Sequence, residues 1–179
     1  MVAPTLVLAW GNMSRGDDAL GPMLLDALQS RLPAQQLEQI EFLEDFQLQI
    51  EHALDMVGRK RVLFVDASLN CSAPFEATVV QAAADASLTT HTLSPQALML
   101  VYKDFQGVPP PTCTLLAIRG YSFELGDALS QAAVSHLDAA LKWAVAALAA
   151  ELSPGSCTGG KVSMVGCGRI VEPLSRVAW

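Results

Sequence analysis

An unbroken apolar run, Leu6-Val7-Leu8-Ala9-Trp10, leads directly into Gly11-Asn12-Met13-Ser14-Arg15-Gly16-Asp17-Asp18-Ala19-Leu20-Gly21. A strand that is apolar at every position must be covered on both faces, which is the situation inside a parallel sheet. The residues after the turn, Leu20, Leu24, Ala27, Leu28 and Leu32, are spaced as one face of a helix. A strand, a Gly-bearing turn and a helix put the turn at the carboxyl edge of the sheet, where open α/β folds bind their ligands. Two adjacent carboxylates and Arg15 therefore stand at a place suited to chemistry. A helix cap explains one acidic residue there and leaves the other over.

The same alternation of strand and helix continues. Pro33 closes the first helix, Ile40 and Phe42 mark a short strand with one wetter face, and residues 47–57 set Ile50, Ala53, Leu54 and Val57 on a helical stripe. His52 falls off that stripe and is expected at the surface. Val62-Leu63-Phe64-Val65-Asp66 is a second fully apolar strand, and Asp66 closes it at the carboxyl end. In a doubly wound sheet the first and third strands are neighbours, so Asp66 and the 11–18 turn would face one crevice. A turn cap is the alternative role for Asp66.

Phe75 to Gln81 is expected as an antiparallel edge strand, and 82–93 as a loop carrying His91. Ser94-Pro95 reads as a helix start, with Leu98, Val101, Tyr102 and Phe105 buried. Thr114 to Gly120 is the next central strand. Ser130 caps a final helix with the stripe Val134, Leu137, Leu141, Val145, Leu148 and Leu152, leaving His136 exposed. The expected fold is thus α/β: a three-layer αβα sandwich, with a twisted, mostly parallel sheet of about five strands and helices on both faces. One domain covers residues 1–152. Residues 153–179 are expected as a Gly-rich appendage, either flexible or with at most one short strand at 162–165.

Composition narrows the function. The chain has 179 residues and 18 acidic against 11 basic side chains, a net charge of −7, so nucleic-acid binding lacks its electrostatic footprint. Arg59-Lys60-Arg61 reads as a solvated strand entrance. No apolar stretch approaches the ~20 residues of a membrane span and no leader pattern opens the chain, so a cytoplasmic protein without a membrane partner is expected. Cys71, Cys113, Cys157 and Cys167 make no CxxC pair and are expected to be idle, a redox link within the tail being the alternative. The dinucleotide fingerprint, the phosphate-binding loop with Gly-Lys-Ser/Thr and the G-x-S-x-G elbow are all missing. A site made of carboxylates and histidine remains.

Gly11-Asn12-x-x-Arg15-Gly16-Asp17-Asp18-x-x-Gly21 after its Leu/Val strand resembles the N-terminal signature of the nickel–iron hydrogenase maturation endopeptidases. Val62 to Ala67 resembles their second signature, a buried strand ending in Asp-Ala. The likeness runs through residues 5–150. His91-Thr-x-Ser-Pro-x-x-Leu98-x-Leu100 and Tyr121 to Gly126 look closest to the branch serving cytoplasmic, NAD-linked hydrogenases.

The resemblance implies an endopeptidase that trims the C-terminal extension of a hydrogenase large-subunit precursor once nickel is installed. It implies Asp18 and Asp66 as catalytic residues and Asp18, Asp66 and His91 as metal ligands, with Asn12, Arg15 and Asp17 positioning substrate. The metal would be the nickel carried by the precursor, with no tightly bound cofactor of the protein's own and a monomeric state. Two carboxylates and an imidazole suit a borderline divalent ion such as nickel or zinc. One departure stands out: many relatives have His where this chain has Gln96, and the nearest histidine is five residues earlier. A nickel-sensing docking factor without peptidase activity would keep the same ligands.

Overall fold

The computed structural model describes residues 2–84 and 93–150. The elements run β1 (Thr5–Trp10), a 3-10 turn (Gly16–Ala19), α1 (Leu20–Arg31), α2 (Ala34–Leu37), β2 (Ile40–Asp45), α3 (His52–Asp55) and β3 (Arg61–Ser68). They continue with β4 (Phe75–Val80), α4 (Pro95–Gln106), β5 (Thr112–Arg119) and α5 (Gln131–Ala150). The strands form one sheet in the order β2-β1-β3-β5-β4. β1 pairs in parallel with both β2 and β3, β3 pairs in parallel with β5, and β4 closes the far edge antiparallel to β5. The expected three-layer sandwich with its antiparallel edge strand is what forms.

Alternation along the strands feeds two cores. Val7, Ala9, Leu63, Val65 and Ile118 face α1 and α5. Leu6, Leu8, Val62 and Phe64 face the opposite layer, where Met56 of the α3 region and Leu98 and Tyr102 of α4 cover them. Ser94 caps α4 as its Oγ accepts the Ala97 N–H at 3.1 Å, and Ser130 caps α5 through the Ala133 N–H at 3.3 Å.

Several helix faces differ from the sequence expectation. Residues 47–57 carry two apolar rows four apart, and periodicity alone does not say which turns inward. Leu48, Ala53 and Met56 are buried, while Ile50 and Leu54 are more than half exposed. His52 is buried too, because both ring nitrogens find partners. Nδ1 accepts the Gln49 N–H at 2.9 Å, and Nε2 lies 3.3 Å from an Asp45 oxygen.

On α4, Met99 rather than Phe105 turns inward, and on α5 the buried row is Ala133, Ala140, Leu141, Ala144 and Leu148, with Val134 exposed. Alanines let α5 approach the sheet closely, which hydrophobic bulk alone does not signal. His136 is half-buried, its Nδ1–H donating to the Arg119 carbonyl at 2.8 Å. α5 is also, by length and composition, apolar enough to cross a membrane, contrary to the expectation that no stretch qualifies. It packs here on α1 and β5, and its outer face carries the Lys142–Asp138 pair at 2.6 Å. Residues 153–179, with Cys157, Cys167 and the expected 162–165 strand, lie outside the described residues.

Candidate active site at the carboxyl edge

Close backbone approach builds the first wall of the site. Gly11 has φ 144°, and a Cβ there would stand 2.0 Å from the Asp18 carbonyl oxygen. At Gly21 a Cβ would meet the Trp10 carbonyl oxygen at 2.5 Å and that of Val65 at 3.2 Å. Only glycine allows the turn to fold back on itself and α1 to start hard against β1 and β3. The fold-back is fixed by the Asn12 N–H donating to Asp18 Oδ2 at 3.0 Å, while Asn12 Oδ1 accepts the Ser14 N–H at 2.9 Å. Asp18 is left half-buried.

The two adjacent acids have separate tasks, and neither caps α1. Asp17 has no solvent exposure. Its Oδ2 accepts the Tyr121 N–H at 2.7 Å, the Ser122 N–H at 3.2 Å and the Ser130 hydroxyl at 2.7 Å, and its Oδ1 accepts the Ser130 N–H at 2.7 Å. Burial pushes its pKa up, and these four hydrogen bonds outweigh burial and hold it below the usual 3.8. Asp17, expected from the sequence to position substrate, is engaged here with the chain's own 121–130 loop. A carboxylate with both oxygens occupied and no open surface ties the 121–130 loop to the acidic turn. Tyr121 to Ser130 is thereby a structural part of the site, beyond the family likeness of Tyr121 to Gly126 and the helix cap at Ser130.

Arg15 is exposed and donates from Nε to the Phe123 carbonyl at 3.2 Å, so its guanidinium is anchored to the same loop.

Asp66 stands where the sheet opens. The β1–β3 pairing ends at Ala9↔Val65, so Asp66 is the first β3 residue without a β1 neighbour. β3 itself runs on to Ser68, so Asp66 lies within the strand rather than at its end, still paired to Ala117 of β5. Alternation puts it on the Phe64 side, the face covered by α4. Burial raises its pKa to about 7, assisted by the negative charge of Asp18 nearby, the Ala67 N–H opposing both. The two acids named from the first and third strands therefore do lie within electrostatic reach of each other.

The third expected ligand is not part of this picture: His91 lies outside the described residues. α4 starts at Pro95 as the sequence indicates, which sets Gln96 in its first turn. Among the described residues no group of three or more His, Cys, Asp or Glu side chains is placed to hold a metal ion. Asp18 and Asp66 thus make a carboxylate pair whose mutual repulsion a divalent cation would relieve.

Beside this wall lies a cleft of about 470 Å³, lined by Gly11 to Ser14 on one side and Glu44, Asp45 and Phe46 on the other. It shares Asn12 with the Asp18 wall, although neither Asp18 nor Asp66 lines it. Asp45 closes β2 beside Trp10, and its register with β1 is the signal that could have brought it to notice.

No protein-family model and no curated relative matches the chain by sequence. Solved structures do match. The hydrogenase maturating endopeptidase HybD from Escherichia coli superposes with a TM-score of 0.64 at 25% identity, over 83% of this chain and 93% of its own. The fold is that of the hydrogenase maturation endopeptidases. The [NiFe] hydrogenase maturation protease HycI from Thermococcus kodakarensis gives a TM-score of 0.63 at 18% identity, over 82% of this chain and 93% of its own. An Escherichia coli endopeptidase in solution gives 0.64 at 24% identity, over 83% and 93%. The likeness runs over most of each chain.

Proposed function

We propose that this chain is a hydrogenase maturation endopeptidase, which removes the C-terminal extension of a nickel–iron hydrogenase large-subunit precursor after nickel insertion. The observation that carries the reading is the electrostatic contact between Asp18 and Asp66 at the carboxyl edge, on a fold shared with proteins named as hydrogenase maturation endopeptidases and proteases. Nickel arrives with the substrate. Two carboxylates that repel each other gain from a divalent cation set between them, so a precursor without nickel meets a site that does not favour it. His91 is the proposed third group, and Asn12 and Arg15, at the mouth of the turn, orient the precursor chain.

Without nickel Asp66, with its pKa of about 7, is half protonated near neutral pH; nickel arriving with the precursor would favour its ionised form, which can then take a proton from water as general base for hydrolysis. Precursor nickel between the acids would lower that pKa and polarise the same water. Arg15 supplies positive charge at the rim, where a developing oxyanion needs it. The rim also exposes Met13 and Leu125, as a site for a protein substrate would. We place the enzyme in the cytoplasm, as a monomer, serving an NAD-linked hydrogenase.

The test is to incubate the purified chain with nickel-loaded and nickel-free precursor and to weigh the products. Loss of a C-terminal fragment from the nickel-loaded form alone is expected. Stable binding of that form with no change of mass would make the chain a docking factor instead.

A further inference from the structure

Residues 46–57 carry apolar side chains on two sides, and only one side is used. Leu48, Ala53 and Met56 enter the core beneath the sheet. Phe46, Ile50, Leu54 and Val57 are 73%, 55%, 58% and 37% exposed. The backbone between them follows tight turns, with the Ala53 N–H donating to the Ile50 carbonyl at 3.1 Å and the Val57 N–H to the Leu54 carbonyl at 3.1 Å. Four large apolar side chains thus stand exposed within twelve residues, Phe46 just beyond the end of β2 and Ile50, Leu54 and Val57 on the turns in and around α3. Large apolar groups in a contiguous row mark interaction sites, whereas isolated ones do not.

The row ends in the cleft, whose wall it supplies through Phe46. The cleft contains Glu44 and Asp45 and no Lys or Arg. Asp45 is held firmly: its Oδ1 accepts the Phe46 N–H at 2.6 Å and its Oδ2 the Gln49 amide at 3.1 Å. His52 Nδ1 is occupied as an acceptor, so in its neutral form Nε2 carries the proton toward Asp45. Arg59 stands at the opposite edge of the sheet, on Glu41 at 2.7 Å and the Ala3 carbonyl, and Arg15, next in sequence to the lining residue Ser14, donates to the Phe123 carbonyl of the neighbouring loop. An acidic pocket continuous with an apolar row is complementary to a segment that carries both a basic and several apolar side chains.

We infer that this surface docks the precursor itself: an amphipathic segment lies along Phe46, Ile50, Leu54 and Val57 and sends a Lys or Arg into the cleft against Asp45 and Glu44. The inference rests on the reading of the chain as a precursor endopeptidase, and it supplies that enzyme with a recognition surface separate from the Asp18–Asp66 pair.

Two measurements on the full chain test it. With benzoylphenylalanine at position 54, irradiation in the presence of nickel-loaded precursor should crosslink the two proteins. A crosslink to a second copy, or to the chain's own residues 151–179, overturns the inference. In kinetics, Ile50→Ser combined with Leu54→Ser should raise KM about tenfold and change kcat less than twofold. Asp45→Asn should raise KM and flatten its dependence on salt. Circular dichroism checks the fold of each variant. Wild-type chain that trims the precursor while the Ser variant keeps the wild-type KM overturns the docking surface and leaves the endopeptidase standing. Crosslinking without any trimming does the reverse.

Discussion

Asp66→Asn keeps the shape of the side chain and removes a charge that the native state disfavours. The folded protein holds the Asp66 proton up to about pH 7, whereas an unhindered aspartate releases it near 3.8. Between those values the native state binds more protons than the unfolded chain, so this group's contribution to stability falls as pH rises. The contribution is fully present below 3.8 and is lost as pH rises through about 7.

A difference of about three pH units at about 1.4 kcal/mol each sets an upper figure of about 4 kcal/mol by pH 8. Water reaching a partly exposed carboxyl lowers the realised value to about 2 kcal/mol. Denaturant unfolding of wild type and Asp66→Asn from pH 4 to 8 measures it. The variant should gain on wild type steadily over that range and be the more stable protein at pH 8. Curves that stay parallel would show that Asp66 titrates normally and refute the reasoning. Adding Asp18→Asn to wild type should reduce the slope, because Asp18 is the second cause of the shift.

Three further outcomes follow from the same geometry. Asp17→Ala leaves three backbone N–H groups and a hydroxyl without their acceptor and should cost roughly 3–5 kcal/mol in denaturant unfolding. Because the native pKa of Asp17 is lowered, its stabilisation is present above 3.8 and lost in acid, so the gap to wild type should narrow below about pH 3. Gly21→Ala drives a methyl against the Trp10 and Val65 carbonyls and should lower stability by more than about 2 kcal/mol, read as the shift in thermal midpoint. Cys113 is buried, its thiol pKa pushed up to about 12 by burial, so iodoacetamide at pH 8 should leave the peptide containing it unlabelled until denaturant is added.

The sheet was legible because β1 and β3 are apolar at every position and because Ser94-Pro95 and Ser130 announce their helices. That Asp18 and Asp66 would stand at one edge was legible for a topological reason: adjacent parallel strands end at the same edge, whatever lies between them in sequence. The division of labour between Asp17 and Asp18 was not legible, since it depends on a loop more than a hundred residues away whose N–H groups happen to meet one acid. The facing of residues 47–57 was hidden for another reason. Two apolar rows compete there, and only the position of the sheet decides which is buried. His52 differs with them, because a histidine enters a core when its two nitrogens are matched, and those partners, Gln49 after β2 and Asp45 at its end, lie outside the helical periodicity.

The pairing of Asp18 with Asp66 as one nickel-reading unit is tested most directly by Asp18→Asn and Asp66→Asn made separately, each incubated with nickel-loaded precursor and followed by intact mass. Both variants should fold and neither should release the C-terminal fragment that the proposed activity predicts for wild type. Release at the wild-type rate by either variant would contradict the account.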